Sequence, residues 1–113
     1  MGILKDGKWY SDESGFADDD GAFKRTTSKF RSWVTKDGSP GPSGEGGFKA
    51  EAGRYHLYVS YACPWAHRTL IMRSLKGLDD MIGLSATHWI MRERGWTFDD
   101  GPGVIPDPLV NAG

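Results

Sequence analysis

Hydrophobic positions are spread unevenly along the chain: 15 of the first 53 residues, 21 of the next 38 and 7 of the last 22. The dense middle stretch has a readable period. Tyr55, Leu57, Val59 and Tyr61 alternate with His56, Tyr58 and Ser60, a period of two in strong strand formers. Ala62-Cys63-Pro64 follows. Proline suits the first turn of a helix, where its missing N–H is not needed. From Trp65 to Lys76 the period becomes helical, with Leu70, Ile71, Leu75 and Leu78 on one stripe. Arg73 and Lys76 fall near the C-terminal end of that helix, where the dipole favours cations, and Gly77 fits a C-terminal cap. Asp79-Asp80 predicts a turn, after which Ile82, Leu84, Ala86 and His88 alternate as a second strand. Strand, helix and strand in 38 residues predict one βαβ unit with a right-handed crossover.

The flanks have another character. Residues 1–53 are dense in turn punctuation, including Asp18–Asp20 with Gly21 and the run from Asp37-Gly38-Ser39-Pro40 to Gly47. They nevertheless carry 7 of the 14 aromatics: Trp9, Tyr10, Phe16, Phe23, Phe30, Trp33 and Phe48. Disordered tails are aromatic-poor. The expectation is therefore an extension over 1–53, mostly coil, anchored by aromatics to a body at 54–113, with a short helix near 28–35. A plain flexible tail is the alternative that composition allows. After Trp89 the chain turns irregular again. One βαβ unit leaves sheet edges and an open face, so the 113 residues are expected to be the front part of a larger protein.

Composition narrows the function classes. Lys plus Arg is 14 and Asp plus Glu is 15, a net charge of -1, which argues against a nucleic-acid partner. No run approaches the ~18 apolar residues of a membrane span, and the N-terminus lacks a signal-peptide hydrophobic region, so a cytoplasmic protein with no membrane partner is expected. Leu, Ile, Val and Phe together number 21 against 16 Gly, which predicts a thin aliphatic core. The single cysteine, Cys63, excludes an internal disulfide. His56 and His88 form no metal-ligand spacing with it, and no metal is expected.

Cys63 is nevertheless the residue with chemical promise. Most lone intracellular cysteines are inert small hydrophobes, so position must separate this one from them. It follows a strand directly and precedes the proline that opens a helix, where first-turn N–H donors and the dipole favour a thiolate. Ligands of open α/β sheets also gather at the C-terminal ends of strands. The second cysteine of a CxxC dithiol would fall at Ala66, so a disulfide formed at Cys63 must be made with, and released by, an outside thiol. In the cytosol the abundant candidate is glutathione. His67 lies one helical turn on and could face the thiol, but a structural role is preferred. Arg68, Arg92 and Arg94 read as solvated surface, and His56 and His88 as hydrogen-bonded strand residues.

The run from Arg54 through Tyr61-Ala62-Cys63-Pro64-Trp65-Ala66-His67-Arg68-Thr69 resembles the start of the glutathionyl-hydroquinone reductases, the Xi class of glutathione transferases. Upstream Phe30-Arg31-Ser32-Trp33 and Gly38-Ser39-Pro40-Gly41-Pro42, and downstream Gly95-Trp96-Thr97-Phe98 and Gly103-Val104-Ile105-Pro106-Asp107-Pro108, are similar to it too. The resemblance spans nearly the whole chain. It implies an α/β fold: a partial thioredoxin-like domain after a long irregular extension, with the family's helical C-terminal domain absent. It also implies glutathione-dependent reduction of S-glutathionyl-hydroquinones, with Cys63 as nucleophile and Trp96 in contact with glutathione. Trp65 is expected over the glutathione pocket or against the second domain. The structural alternative for Trp96 is an indole covering a core edge. Glutathione would be co-substrate, with no permanently bound cofactor, glutathionyl-quinols would be substrates, and the full-length parent would be a homodimer. Most of the substrate site would lie outside these residues, so little turnover is expected from them alone. The competing readings are an omega-like thioltransferase or dehydroascorbate reductase, and a non-catalytic docking fragment.

Overall fold

The computed structural model describes residues 3–10 and 27–107. Its centre is the predicted unit. Strand β5 (Tyr55–Ser60) and strand β6 (Ile82–Thr87) pair in parallel, with Tyr55 opposite Ile82 and Ser60 opposite Thr87. Between them runs α1 (Pro64–Leu75), with Pro64 in its first turn as the sequence predicts. Its C-terminus closes as a Schellman motif. The Leu78 N–H bonds the Arg73 carbonyl at 2.9 Å and the Gly77 N–H bonds that of Ser74 at 3.0 Å. Gly77 has φ +65, a conformation costly for residues with a Cβ.

What joins helix to strand is Arg73. Its guanidinium donates to the Ile82 carbonyl at 2.9 Å, to the Asp79 carboxylate at 2.7 Å and to the Asp79 carbonyl at 2.8 Å. The predicted leucine stripe does not become a core here: no residue of α1 is buried, and Leu75 is 75 % exposed. Among the described residues the buried apolar side chains are Val59 and Ala86, facing positions in the β5–β6 register. Exposed His56 and Tyr58 mark the other side of β5. Residue 105 returns to the outer edge of β6, exchanging both backbone hydrogen bonds between Ile105 and Ala86 at 2.9 Å.

The short helix expected near 28–35 is not formed. β3 (Trp33–Thr35) is a strand, paired in parallel with β4 (Gly47–Lys49). Trp33, Val34 and Thr35 are aromatic and β-branched, and strand pairing suits them better than a helix does. The connection is fixed by side chains: the Asp37 carboxylate accepts the Ser39 N–H at 3.1 Å and the Ser39 hydroxyl at 2.6 Å, while the Thr35 hydroxyl donates to the Ser39 carbonyl at 2.8 Å. Gly47 leaves no room for a Cβ beside the Ser39 carbonyl.

β1 (Ile3–Lys5) and β2 (Lys8–Tyr10) form an antiparallel hairpin. Its turn, Asp6-Gly7, has φ +51 and +75, positive at both central positions as a type I′ turn requires. Trp9 is half-buried, and its indole N–H donates to the Glu93 carbonyl across 84 residues of sequence. Other aromatics of the first 53 residues behave differently: Trp33 packs beside Gly41, and Phe30 is 98 % exposed. Phe16 and Phe23 lie outside the described residues.

Candidate active site

The end of β5 turns sharply because both oxygens of Ser60 are used. Its hydroxyl accepts the Ala62 N–H at 3.3 Å and its carbonyl accepts the Cys63 N–H at 3.0 Å. Ser60 is buried, so this turn is anchored from inside the unit. Cys63 becomes the N-cap residue of α1, with extended backbone (φ -92, ψ 115), and its carbonyl accepts the His67 N–H at 3.1 Å. The expectation of a thiol at a strand-to-helix turn is met in backbone terms. The thiol itself is free, half-buried and makes no capping hydrogen bond. Pro64, the first residue of the helix, costs the turn no capping donor, because an N-cap side chain accepts from the N–H groups of the second and third helical residues, here Trp65 and Ala66.

Trp65, two residues on, lies in the first turn of α1 and is 61 % exposed. The Arg68 guanidinium sits 5.5 Å from its ring centroid, a cation–π contact. His67 takes part through its backbone, and its side chain is exposed.

Trp96 reaches the same edge of the sheet by another route. β5 and β6 are parallel, so their C-terminal ends lie together, Ser60 opposite Thr87. Beyond Thr87, the His88 N–H bonds the Thr97 carbonyl at 2.8 Å. Trp96, next to Thr97, is thereby tied to the edge from which the Cys63 turn leaves. It is 39 % exposed and follows a tight turn in which Arg92 and Gly95 bond each other's backbone at 2.9 and 3.3 Å. Arg92, Glu93, Arg94, Thr97 and Asp99 line an open depression of about 550 Å³ on this loop. Arg94 pairs there with Asp99 at 3.3 Å.

His56 and His88 are hydrogen-bonded, as expected. His56 Nε2 lies 2.8 Å from the fully buried Ser85 hydroxyl, and His88 Nδ1 accepts the Ile90 N–H at 3.1 Å. His88 lies just past the end of β6 rather than inside it, and its ring stacks on Trp89 with centroids 4.0 Å apart. Among the described residues no three His, Cys, Asp or Glu side chains are arranged to hold a metal. No described helix is long and apolar enough to cross a membrane.

Several organising groups are not legible from local patterning. The Tyr58 hydroxyl donates to the Asp107 carboxylate, which is buried, and its ring meets those of His56 and Phe98. The hydrogen bond to Asp107 raises the Tyr58 pKa above its ordinary value, with some help from burial. Trp9 belongs to the same group of long-range contacts. The Asp6-Gly7 turn between Ile3-Leu4 and Trp9-Tyr10 is a hairpin signal that the sequence does display.

No protein-family model matches the chain. Glutathionyl-hydroquinone reductase YqjG of Escherichia coli is 56 % identical over 110 residues, 96 % of this chain and 34 % of that protein. Glutathionyl-hydroquinone reductase PcpF of Sphingobium chlorophenolicum is 44 % identical over 112 residues, 99 % of this chain and 33 % of that protein. The chain thus spans about a third of the length of these relatives. An omega-like glutathione S-transferase of Schizosaccharomyces pombe is 46 % identical over 82 % of this chain and 28 % of its own length. Among solved structures, the Xi-class enzyme of Natrialba magadii superposes with a TM-score of 0.71 at 45 % identity, covering 96 % of this chain and 30 % of that one. The glutathione-bound structure of E. coli YqjG gives 0.63 at 57 % identity, covering 72 % of this chain and 26 % of that one. By sequence and by fold, the chain corresponds to the N-terminal portion of the glutathionyl-hydroquinone reductases, the Xi class of glutathione transferases, and forms part of a thioredoxin-like domain.

Proposed function

We propose that this chain carries the nucleophile and part of the glutathione site of a glutathionyl-hydroquinone reductase. The observation that supports it most directly is Cys63: the sole cysteine, half-buried, at the N-cap of α1 on the C-terminal edge of a parallel strand pair. In this reading the Cys63 thiolate attacks the sulfur of an S-glutathionyl-hydroquinone. The S–S bond forms and the carbon–sulfur bond breaks. Its electron pair stays on the ring carbon, which takes up a proton, and the hydroquinone leaves. A second glutathione, as thiolate, attacks the Cys63–glutathione disulfide, giving oxidised glutathione and returning the Cys63 thiolate. Ala66 stands where a CxxC dithiol carries its second cysteine, and in this reading the resolving thiol is the second glutathione. Trp96 contacts the bound glutathione, and Trp65 covers the pocket from the first turn of α1. The Arg68 guanidinium restrains the Trp65 ring.

The test is covalent capture. After exposure to oxidised glutathione, intact-mass spectrometry of the chain should show one glutathione adduct on Cys63, released by reduced glutathione and lost in Cys63→Ser. A chain that takes up no adduct while its thiol remains alkylatable sinks the reading in favour of a docking segment. Sustained turnover on glutathionyl-hydroquinones is assigned to the length its relatives have, and the 113 residues are expected to perform the exchange without it. The yeast relatives with omega-like names favour a second reading, a glutathione thioltransferase using the same thiol. The two part on substrate: the reductase cleaves an aryl carbon–sulfur bond, whereas the thioltransferase cleaves a disulfide and leaves the aryl thioether intact.

A further inference from the structure

The hairpin at the front of the chain touches the loop that carries Trp96. Trp9 donates its indole N–H to the carbonyl of Glu93, inside the Arg92–Gly95 turn. Its six-membered ring occupies the space beside Gly95: a Cβ at that position would lie 2.8 Å from Trp9 Cη2 and 3.1 Å from Cζ2. Gly95 is buried and has φ +80, so two independent features select glycine there. Trp96 is the next residue, and its far side is held by the Thr97 carbonyl on the His88 N–H. The segment from the turn to Thr97 is therefore held from two directions, by His88 just past β6 on one side and by Trp9 on the other. Within the loop, the turn is closed by the two Arg92–Gly95 backbone bonds at 2.9 and 3.3 Å, and the Arg94–Asp99 pair is exposed.

We infer that Trp9 is a positioning residue: it holds the 92–95 turn and so sets the place of the Trp96 indole. The N-terminal hairpin is then part of the site's support rather than an appendage. Its consequence for glutathione rests on the proposed role of Trp96, while the link between Trp9 and Trp96 does not. The hairpin makes this economical, because the Asp6-Gly7 turn fixes the register that presents Trp9 opposite Leu4.

The experiment labels the five tryptophans of the full chain with 5-fluorotryptophan and assigns the Trp96 resonance with Trp96→Phe. Trp9→Phe keeps a ring against Gly95 but loses the N–H, and Trp9→Ala loses both. Trp33→Phe serves as a control, because Trp33 packs beside Gly41 and not on this turn. The expected result is a shifted or broadened Trp96 resonance in both Trp9 variants, larger for Trp9→Ala, with Trp33→Phe leaving it in place. Glutathione binding, read by calorimetry, should weaken about two- to tenfold in Trp9→Phe, the scale of one lost hydrogen bond. An unmoved Trp96 resonance in folded Trp9→Phe overturns the inference, as does an equal shift in the Trp33 control. If the resonance moves but Trp96→Ala binds glutathione normally, the link stands and the assigned role of Trp96 falls.

Discussion

Tyr58 and Asp107 show how much one side-chain pair can decide. The Asp107 carboxylate is buried, and a buried charge needs hydrogen bonds to be tolerated. The Tyr58 hydroxyl provides one, which joins β5 to residue 107 across 49 positions of sequence. The same bond raises the Tyr58 pKa above 10. The folded chain therefore holds that proton more tightly than the unfolded chain does. The link contributes fully below about pH 10 and fades as pH rises through the raised value. A spectrophotometric tyrosine titration should show a late component, and Tyr58→Phe should remove it. Asp37 moves the opposite way, lowered chiefly by the Ser39 hydroxyl and then by the Ser39 N–H. Its turn is stabilised above its ordinary range and loses that contribution as pH falls through the lowered value. Neither partner can be foreseen from spacing for Tyr58–Asp107, because the contact is long-range. For Asp37–Ser39 the local Asp-Gly-Ser run already contains the turn.

At the scale of elements, β5, α1 and β6 follow their sequence period closely, and their ends follow residue chemistry. Pro64 starts the helix and Gly77 ends it in a left-handed conformation that a Cβ disfavours. Gly77→Ala should cost about 1–2 kcal/mol, read from denaturant midpoints, with the thiol exchange at Cys63 unaffected. Prediction failed at 28–35 for a different reason. A three-residue strand such as Trp33–Thr35 is too short to display a period, and it forms because Gly47–Lys49 lies alongside. The leucine stripe of α1 was legible as a pattern, but its burial was not: a stripe becomes core only where something covers it.

At the scale of the whole chain, stability is concentrated. Val59 and Ala86 are the buried apolar side chains among the described residues, so truncation at Val59 removes a large share of what is packed there. Val59→Ala should cost about 2 kcal/mol, whereas Val34→Ala, at a position 54 % exposed, should cost far less. Thermal melts of the two variants check this directly, and equal losses would mean that the strand pair is not the centre of stability. The sequence by itself determined the βαβ unit, its caps, the solitary thiol at the strand-to-helix turn and the absence of a dithiol partner. These depend on neighbours within a few residues, where backbone geometry and side-chain period act. Only the tertiary structure decided that Ser60 shapes the cysteine turn from a buried position, that Arg73 locks helix to strand, and that Trp9 stands against Gly95 beside Trp96. Those contacts join residues that only the parallel pairing and the hairpin register bring together, and nothing in their local sequence encodes the distance they cross.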